Sequence, residues 1–186
     1  EGESKNIYNR LRTSALAIVE DSTISFSNKL TEIIKLHQVC NGFTKNDDGE
    51  IMTLHKSKLK ALEETLDETD GKVIIWANYL YNIHEIKKFL IDKYGPESTV
   101  SIYGEVSVQD RKDAVDRIQQ DPKCRFLVGN PTTGGFGLTL TAVNTVIYFS
   151  NNYNLEVRKQ SEDRAHRMGQ KGTVVYIDIV ARNTLD

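Results

Sequence analysis

The sequence predicts an α/β fold in which a parallel sheet of about five or more strands is covered by helices on both faces. Short apolar runs alternate along the chain with segments whose apolar residues recur at helical spacing. The runs carry apolar residues on both faces, which favours strands that are buried on both sides, as in a parallel sheet. The five predicted strands are Val73–Trp76, Thr99–Tyr103, Phe126–Val128, Val146–Phe149 and Val174–Val180.

Helices are predicted between these strands. Leu80, Ile83 and Ile86 begin an apolar stripe at helical spacing, and Ser107 with Asp110 forms a capping box for a second helix. The sequence QSEDRAHRMGQ, residues 160–170, is interpreted as one amphipathic helix between the fourth and fifth strands. A helix there would project Arg164 and Arg167 from the same face, because they are three residues apart.

The first part of the chain has a different character. Apolar residues at helical spacing between Ile7 and Ile18, and again between Leu30 and Val39, predict two packing helices, with Asn41-Gly42 as the stop of the second. A polar turn follows at residues 45–50, and a third helical pattern begins at Ser57. The sequence therefore divides into a helical segment at residues 1–56 and a sheet domain at residues 57–186.

Composition limits the classes of function. The 186 residues suffice for one buried α/β core with an appended segment, and the net charge of −2 does not indicate nucleic-acid binding by itself. No apolar run approaches the ~20 residues that cross a bilayer, so no membrane role is expected. Cys40 and Cys124 belong to no Cys/His cluster, so we predict no metal site and two reduced core thiols in an intracellular protein.

Two loops should lie at the carboxyl edge of the sheet, where open parallel sheets bind ligands. One is residues 129–141, GNPTTGGFGLTLT, in which Gly134, Gly135 and Gly137 let backbone N–H groups approach an anion. This loop lacks the Gly-Lys-Ser/Thr ending of a P-loop, and an ordinary tight glycine-rich turn explains it equally well. The other is residues 151–154, which lead into the arginine segment.

Arg164 and Arg167 are the candidate catalytic residues. Two guanidinium groups on one helix face suit a site at which a polyanion gains charge during reaction, because each presents a planar fork of donors to phosphate oxygens. The alternative is a solvated basic face that pairs with Glu162 and Asp163.

The motifs together resemble the second RecA-like lobe of superfamily-two helicases, and more closely its Swi/Snf-like branch of double-stranded-DNA translocases. KVIIWANY (72–79) is similar to the family's fourth motif, GNPTTGGFGLTLTA (129–142) to its fifth and QSEDRAHRMGQ to its sixth. Gly104 and Arg111 stand where a strand-end glycine and a helix arginine recur, and LHQVCNG (36–42) is similar to the segment before the lobe. The resemblance implies a RecA-like sheet of the P-loop NTPase type.

The resemblance also implies roles for individual residues. Arg164 and Arg167 would be arginine fingers for ATP, with Mg²⁺, that is held mainly by a first lobe outside this chain. The fourth and fifth motifs would face the phosphate backbone of double-stranded DNA. The implied nucleotide-binding residues are Gln160, Gly135, Gly137 and Asp163, and the implied DNA-binding residues are Asn78, Gly104, Arg111, Thr132 and Thr133.

The chain departs from the family pattern at three places. Asn130-Pro131 replaces Ser-Thr at the start of the fifth motif, Tyr153-Asn154-Leu155 replaces Trp-Asn-Pro, and Ser150 replaces a frequent aspartate. Proline has neither hydroxyl nor N–H, so a phosphate contact expected there would move to Thr132 or Thr133 or be lost.

The sequence contains no complete ATPase site. It has no phosphate-binding lysine loop, and the acidic run Asp67–Asp70 follows a polar helix, which indicates a surface turn. Because the chain begins at Glu1 and ends just after a strand, we expect a fragment of a longer ATP-dependent motor that is inactive alone. Alternatives are a silent nucleic-acid-binding or protein-interaction module, or the motor of an annealing helicase or restriction system. The compartment would be cytoplasmic in a bacterium or phage and nuclear in a eukaryote.

Overall fold

The computed structural model describes residues 2–14, 16–19, 22–25, 28–133, 140–165 and 172–186. The chain forms two compact units, which we call the N-terminal unit (Glu1–Glu63 with Val180–Asp186) and the sheet unit (Glu64–Ile179). Within the described ranges, no helix combines the length and the apolar character that crossing a bilayer requires.

The N-terminal unit contains the predicted helices and also two short antiparallel strand pairs. Helices α1 and α2 bury one face each in a small apolar core, and α2 ends at the predicted Asn41-Gly42 stop. Ile18 lies in a strand and not in the first helix, which corrects the helical interpretation there. The elements are α1 (Gly2–Ser14), β1 (Leu16–Val19), β2 (Ser22–Ser25), α2 (Lys29–Cys40), β3 (Phe43–Lys45), β4 (Ile51–Thr53) and the first part of α3 (Ser57–Asp67).

The sheet unit confirms the predicted fold. Its five described strands are all parallel and lie in the order β6-β7-β5-β8-β9. Each predicted strand is present, and its ends differ from the predicted ones by at most three residues. The elements are β5 (Lys72–Trp76), α4 (Leu80–Tyr94), β6 (Thr99–Ile102), α5 (Val108–Gln120), β7 (Phe126–Gly129), β8 (Val143–Tyr148), α6 (Leu155–Glu162) and β9 (Val175–Asp178).

Helices cover both faces of the sheet. Ile118 of α5 shares a buried cluster with Leu127 of β7, whereas the ring of Tyr94 in α4 lies 4.9 Å from the ring of Phe126. Neighbouring residues of a strand point to opposite faces, so α4 and α5 lie on opposite sides. Cys40 and Cys124 are buried free thiols, as predicted, and burial raises the pKa of both.

One row of residues crosses the sheet near its carboxyl edge. The strand register places Ile102, Gly129, Trp76, Tyr148 and Asp178 side by side on β6, β7, β5, β8 and β9. The chain leaves β5 toward β6 and leaves β8 toward β9, so the connections diverge between β5 and β8. This topological switch point is where open α/β sheets form their ligand crevice.

The arginine segment differs from its prediction. Helix α6 ends at Glu162, and Arg164 lies in the turn that follows, so Arg164 is not carried by the predicted helix. The turn forms because the Glu162 carbonyl accepts hydrogen bonds from the Ala165 N–H at 3.2 Å and the Tyr176 hydroxyl at 3.1 Å. The Ala165 contact is local, whereas the Tyr176 contact depends on tertiary structure. Residue 167 lies outside the described residues.

Candidate functional site

Asn78 joins the two strands that flank the switch point. Its backbone N–H donates to the Ser150 hydroxyl at 2.8 Å, and its side-chain amide donates to the carbonyl of Asn151. Both partners belong to the segment directly after β8, whereas Asn78 follows β5. Asn78, a predicted DNA-binding residue, therefore lies in the crevice itself and is half-buried.

Asn130 connects the fifth-motif loop to the same crevice. Its side-chain N–H donates to the Asn78 carbonyl at 2.9 Å, and its side-chain oxygen accepts from the Thr132 N–H at 2.8 Å. The Thr132 hydroxyl donates to the same oxygen. Asn130 and Ser150 stand at positions where the chain departs from the family pattern, and in the structure both are hydrogen-bonding groups that organise the site. The Asn-Pro pair was the signal available in the sequence, since it favours such a turn.

Arg111 binds the backbone of the segment that follows β6. Its Nη2 donates to the carbonyl of Gly104 at 3.1 Å and of Tyr103 at 3.3 Å, so two predicted DNA-binding positions are in contact. Arg111 is half-buried, Gly104 and Thr132 are exposed, and Thr133 is half-buried. Helix α5, which carries Arg111, starts at the predicted cap, where Ser107 Oγ accepts from the Asp110 N–H at 3.1 Å. The structure thus places all five predicted DNA-binding residues at the carboxyl edge.

Arg164 is turned into the sheet unit. Its side chain is buried, its Nη2 donates to the Pro131 carbonyl at 3.1 Å, and its guanidinium carbon lies 5.4 Å from the centre of a Trp76 ring. This position corrects the expectation of an arginine that projects outward. Its backbone carbonyl accepts from the Leu140 N–H at 3.0 Å, so Arg164 contacts the chain on both sides of the glycine-rich loop.

The remaining nucleotide candidates are only partly described. Gln160 and Asp163 are exposed at the end of α6, where Gln160 Nε2 donates to Glu156 Oε1 at 3.2 Å and Asp163 is the C-cap. Gly135, Gly137 and Arg167 lie outside the described residues, so the predicted turn near the nucleotide and the second finger remain predictions.

Sequence reasoning missed Arg158, on the inner side of α6. Its guanidinium carbon lies 3.4 Å from the centre of the Tyr148 ring, and its nitrogens contact Asp178, Glu162 and Asn151. The Arg158–Glu162 spacing of four residues predicts an ion pair, but nothing in the sequence indicates the others. Burial raises the pKa of Tyr148 to about 12, although its hydrogen bond with Ser161 acts against this, so its hydroxyl stays protonated.

The described residues contain no group of three or more His, Cys, Asp or Glu side chains that could hold a metal ion. The acidic run Asp67–Asp70 begins at the last residue of α3 and lies before β5, at the amino edge of the sheet; its carboxylates are exposed, as predicted for a surface segment. Asp67 pairs there with Lys93 at 2.8 Å. Guanidinium, amide and hydroxyl donors at the carboxyl edge suit an anionic ligand. The described residues include no carboxylate cluster that would hold a Mg²⁺ ion bound to such a ligand.

This arrangement defines a class of protein, the second RecA-like lobe of a helicase. The family model described as the helicase conserved C-terminal domain matches residues 57–169, and the chain belongs to this family. The C-terminal part of the Fun30 ATPase domain has a similar fold, with a TM-score of 0.62 and 25% identity over 71% of this chain and 45% of that one.

Relatives confirm the Swi/Snf-like resemblance. An uncharacterized ATP-dependent helicase of Mycoplasma genitalium is 29% identical over 99% of this chain and 18% of its own length. One from Mycoplasma pneumoniae is 31% identical over 86% of this chain and 15% of its own length. The chromatin-remodeling ATPase INO80 of Kluyveromyces lactis is 27% identical over 92% of this chain and 11% of its own length. The chain thus spans less than a fifth of the length of these relatives.

Proposed function

We propose that this chain is the second motor lobe of an ATP-dependent translocase that moves along double-stranded DNA. Its relatives are ATP-dependent helicases and a chromatin-remodeling ATPase, whose much greater length leaves room for a first lobe. The observation that carries the proposal is the meeting of Arg164, the Asn130 loop and the Asn78 crevice at one sheet edge, in a chain of the helicase C-terminal family.

The proposed role of Arg164 and Arg167 is to stabilise charge on a γ-phosphate held by the first lobe. ATP, with Mg²⁺ on the first lobe, supplies the phosphoryl group whose oxygens carry that charge during transfer. Guanidinium groups are suited to this task because they are always charged and donate through a planar fork. Arg164 must release the Pro131 carbonyl to reach a phosphate.

The proposed DNA surface is the other half of the carboxyl edge. Asn78, Gly104, Arg111, Thr132 and Thr133 lie after β5, β6 and β7, which are neighbours in the sheet. Amides, hydroxyls and one guanidinium are the groups that proteins commonly use on phosphate oxygens. Movement of this edge relative to the first lobe would couple ATP turnover to steps along the DNA backbone.

The decisive experiment substitutes Arg167 by Ala and by Lys in the full-length protein. DNA-stimulated ATP hydrolysis should fall by about 10³-fold or more in the Arg167→Ala variant, the usual worth of an arginine finger. Arg117→Ala, at the far end of α5, removes the same charge and should leave turnover unchanged. ATP binding should persist in every variant.

Two results would overturn the proposal. One is Arg167→Ala turnover close to that of the wild type. The other is DNA-dependent ATP hydrolysis by the 186-residue chain alone, since we expect that chain to hydrolyse no ATP without a first lobe. A full-length protein that binds DNA but never hydrolyses ATP would instead be the silent binding module.

A further inference from the structure

Arg158 contacts four other side chains at the carboxyl edge, and no function assigned above uses it. Its Nη1 contacts Asp178 Oδ1 at 2.5 Å and Asn151 Oδ1 at 2.7 Å, and its Nη2 contacts Asp178 Oδ2 at 3.2 Å. Its Nε contacts Glu162 Oε1 at 2.6 Å. One guanidinium therefore ties together β9, the segment after β8 and the end of α6.

Arg158 and Arg164 contact aromatic rings on neighbouring strands. Tyr148 and Trp76 are register partners on β8 and β5, so their rings occupy neighbouring positions of the sheet. Arg158 lies 3.4 Å from the Tyr148 ring centre, and Arg164 lies 5.4 Å from the Trp76 ring centre. Arg158 Nε also contacts Glu162, the last residue of α6, and the chain proceeds from there through Asp163 to Arg164.

The same guanidinium reaches the switch point through Asn151. The Asn151 side chain accepts from Arg158 and donates to Asp178 at 2.8 Å, while its carbonyl accepts from the Asn78 side chain. The crevice at Asn78 is thus two hydrogen bonds away from Arg158. Only an arginine can make these contacts at once, because its donors radiate from a rigid plane.

We propose that Arg158 is a positioning residue that fixes α6 and the segment after β8, and thereby sets the geometry of Arg164 and of the Asn78 crevice during ATP turnover. The catalytic part of this inference rests on the proposed function. The geometric part does not, because it concerns contacts within one unit of the chain.

The test compares Arg158→Lys with Arg125→Lys in the full-length protein. Arg125 is a matched control: its guanidinium carbon lies 4.8 Å from the Phe126 ring centre, and its Nε donates to the Gly71 carbonyl at 3.0 Å. Arg125 lies at the amino edge of the sheet, away from the crevice. Both substitutions should lower the melting temperature, so stability alone does not separate the roles.

The kcat for ATP hydrolysis should distinguish the positioning role of Arg158 from the purely structural role of Arg125. Displacement of groups near a reacting centre lowers kcat by about tenfold to a hundredfold, and we expect this for Arg158→Lys with KM for ATP little changed. Arg125→Lys should keep the wild-type kcat. Asp178→Asn should also lower kcat, because it weakens one of the contacts of Arg158, and the double variant should lose no more than Arg158→Lys, in which that contact is already lost. Equal kcat values for Arg158→Lys and Arg125→Lys would overturn the proposal.

Hydrogen exchange provides a readout that does not need ATPase activity. Amides of residues 77–79 and 151–154 should exchange faster in Arg158→Lys than in the wild type, and at the wild-type rate in Arg125→Lys. Unchanged exchange in Arg158→Lys would reject the positioning role. A wild-type protein without ATP turnover would reject the proposed function, and the exchange rates would then decide about Arg158 alone.

Discussion

The backbone N–H of Asn78 donates a 2.8 Å hydrogen bond to the hydroxyl of Ser150 and so joins the carboxyl ends of two adjacent parallel strands. Ser150 is 1% exposed, so water has little access to its side chain. The bond connects the ends of β5 and β8 at the switch point, where the chain connections diverge. A hydroxyl at this position therefore has a structural task, although the family pattern favours a carboxylate there.

Ser150→Ala should destabilise the protein. The substitution removes the acceptor and leaves the Asn78 N–H without a partner in a poorly hydrated place, at a cost of about 1–3 kcal/mol. Denaturant unfolding followed by tryptophan fluorescence would measure the loss through Trp76, the only tryptophan of the chain. An unchanged midpoint would show that the hydrogen bond does not matter.

Gly129→Ala and Gly104→Ala should have opposite consequences for stability. A Cβ at Gly129 would collide with the Ile102 carbonyl oxygen and lie 3.2 Å from Trp76 Cζ3, whereas a Cβ at Gly104 would meet no atom within 4 Å. Overpacking of this kind typically costs about 1–3 kcal/mol. Gly104→Ala should be neutral or stabilising, because alanine lowers the conformational entropy of the unfolded chain. Thermal unfolding of both variants checks this, and equal melting temperatures would contradict it.

Arg111→Gln should weaken DNA binding by the full-length protein. If Arg111 contacts a phosphate, its loss should reduce the slope of log affinity against log salt by about 1, since one fewer counterion is released. Arg117→Gln is the control, because Arg117 lies on the same helix but donates to the Glu97 carbonyl at 2.9 Å near the amino edge. Equal salt slopes for the two variants would remove Arg111 from the DNA surface.

Asp186→Asn should destabilise the N-terminal unit. The Asp186 carboxylate is 2% exposed and contacts Lys58 Nζ at 2.5 Å and His37 Nε2 at 3.5 Å. Removing one partner of a buried ion pair costs about 3–5 kcal/mol. Asp48→Asn removes the same charge from an exposed turn and should leave the free energy of unfolding unchanged.

The effect of Asp186→Asn should depend on pH. Burial raises the pKa of Asp186, but the His37 hydrogen bond and the Lys58 charge outweigh burial and hold that pKa below its ordinary value. The ion pair therefore contributes fully above the unfolded pKa of about 3.9 and is lost as the pH falls through the lower folded value. Wild type and variant should converge in acid. A constant difference in unfolding free energy from neutral pH to acid would contradict the assignment.

Much of the edge chemistry could be anticipated from the sequence, because apolar runs fix the strands and loops after parallel strands must share one edge. This argument predicts the edge position of the loop that contains Thr132, whereas Asn78 and Gly104 are assigned through the family resemblance; the structure places all three residues at the carboxyl edge. Arg158 was not anticipated, since Asp178 is 20 residues away along the chain and only the pairing of β8 with β9 brings it close. The hydrogen bonds of Asn130 and Ser150 to Asn78 could not be predicted, because hydrogen bonds between the ends of different strands leave no periodic signal in the sequence.

The sequence by itself determined the succession of strands and helices along the chain, the motifs at the carboxyl edge and the family. These follow from local properties, namely apolar periodicity, helix caps and glycine placement, which neighbouring residues are enough to set. Only the tertiary structure decided that α6 stops at Glu162 and that Arg164 turns inward, because the Tyr176 hydroxyl, the Pro131 carbonyl and the Trp76 ring come from distant strands and loops. Hydrogen-bond donors bind the acceptors that the fold brings close to them. The fold depends on the whole chain, whereas helical spacing depends only on neighbouring residues.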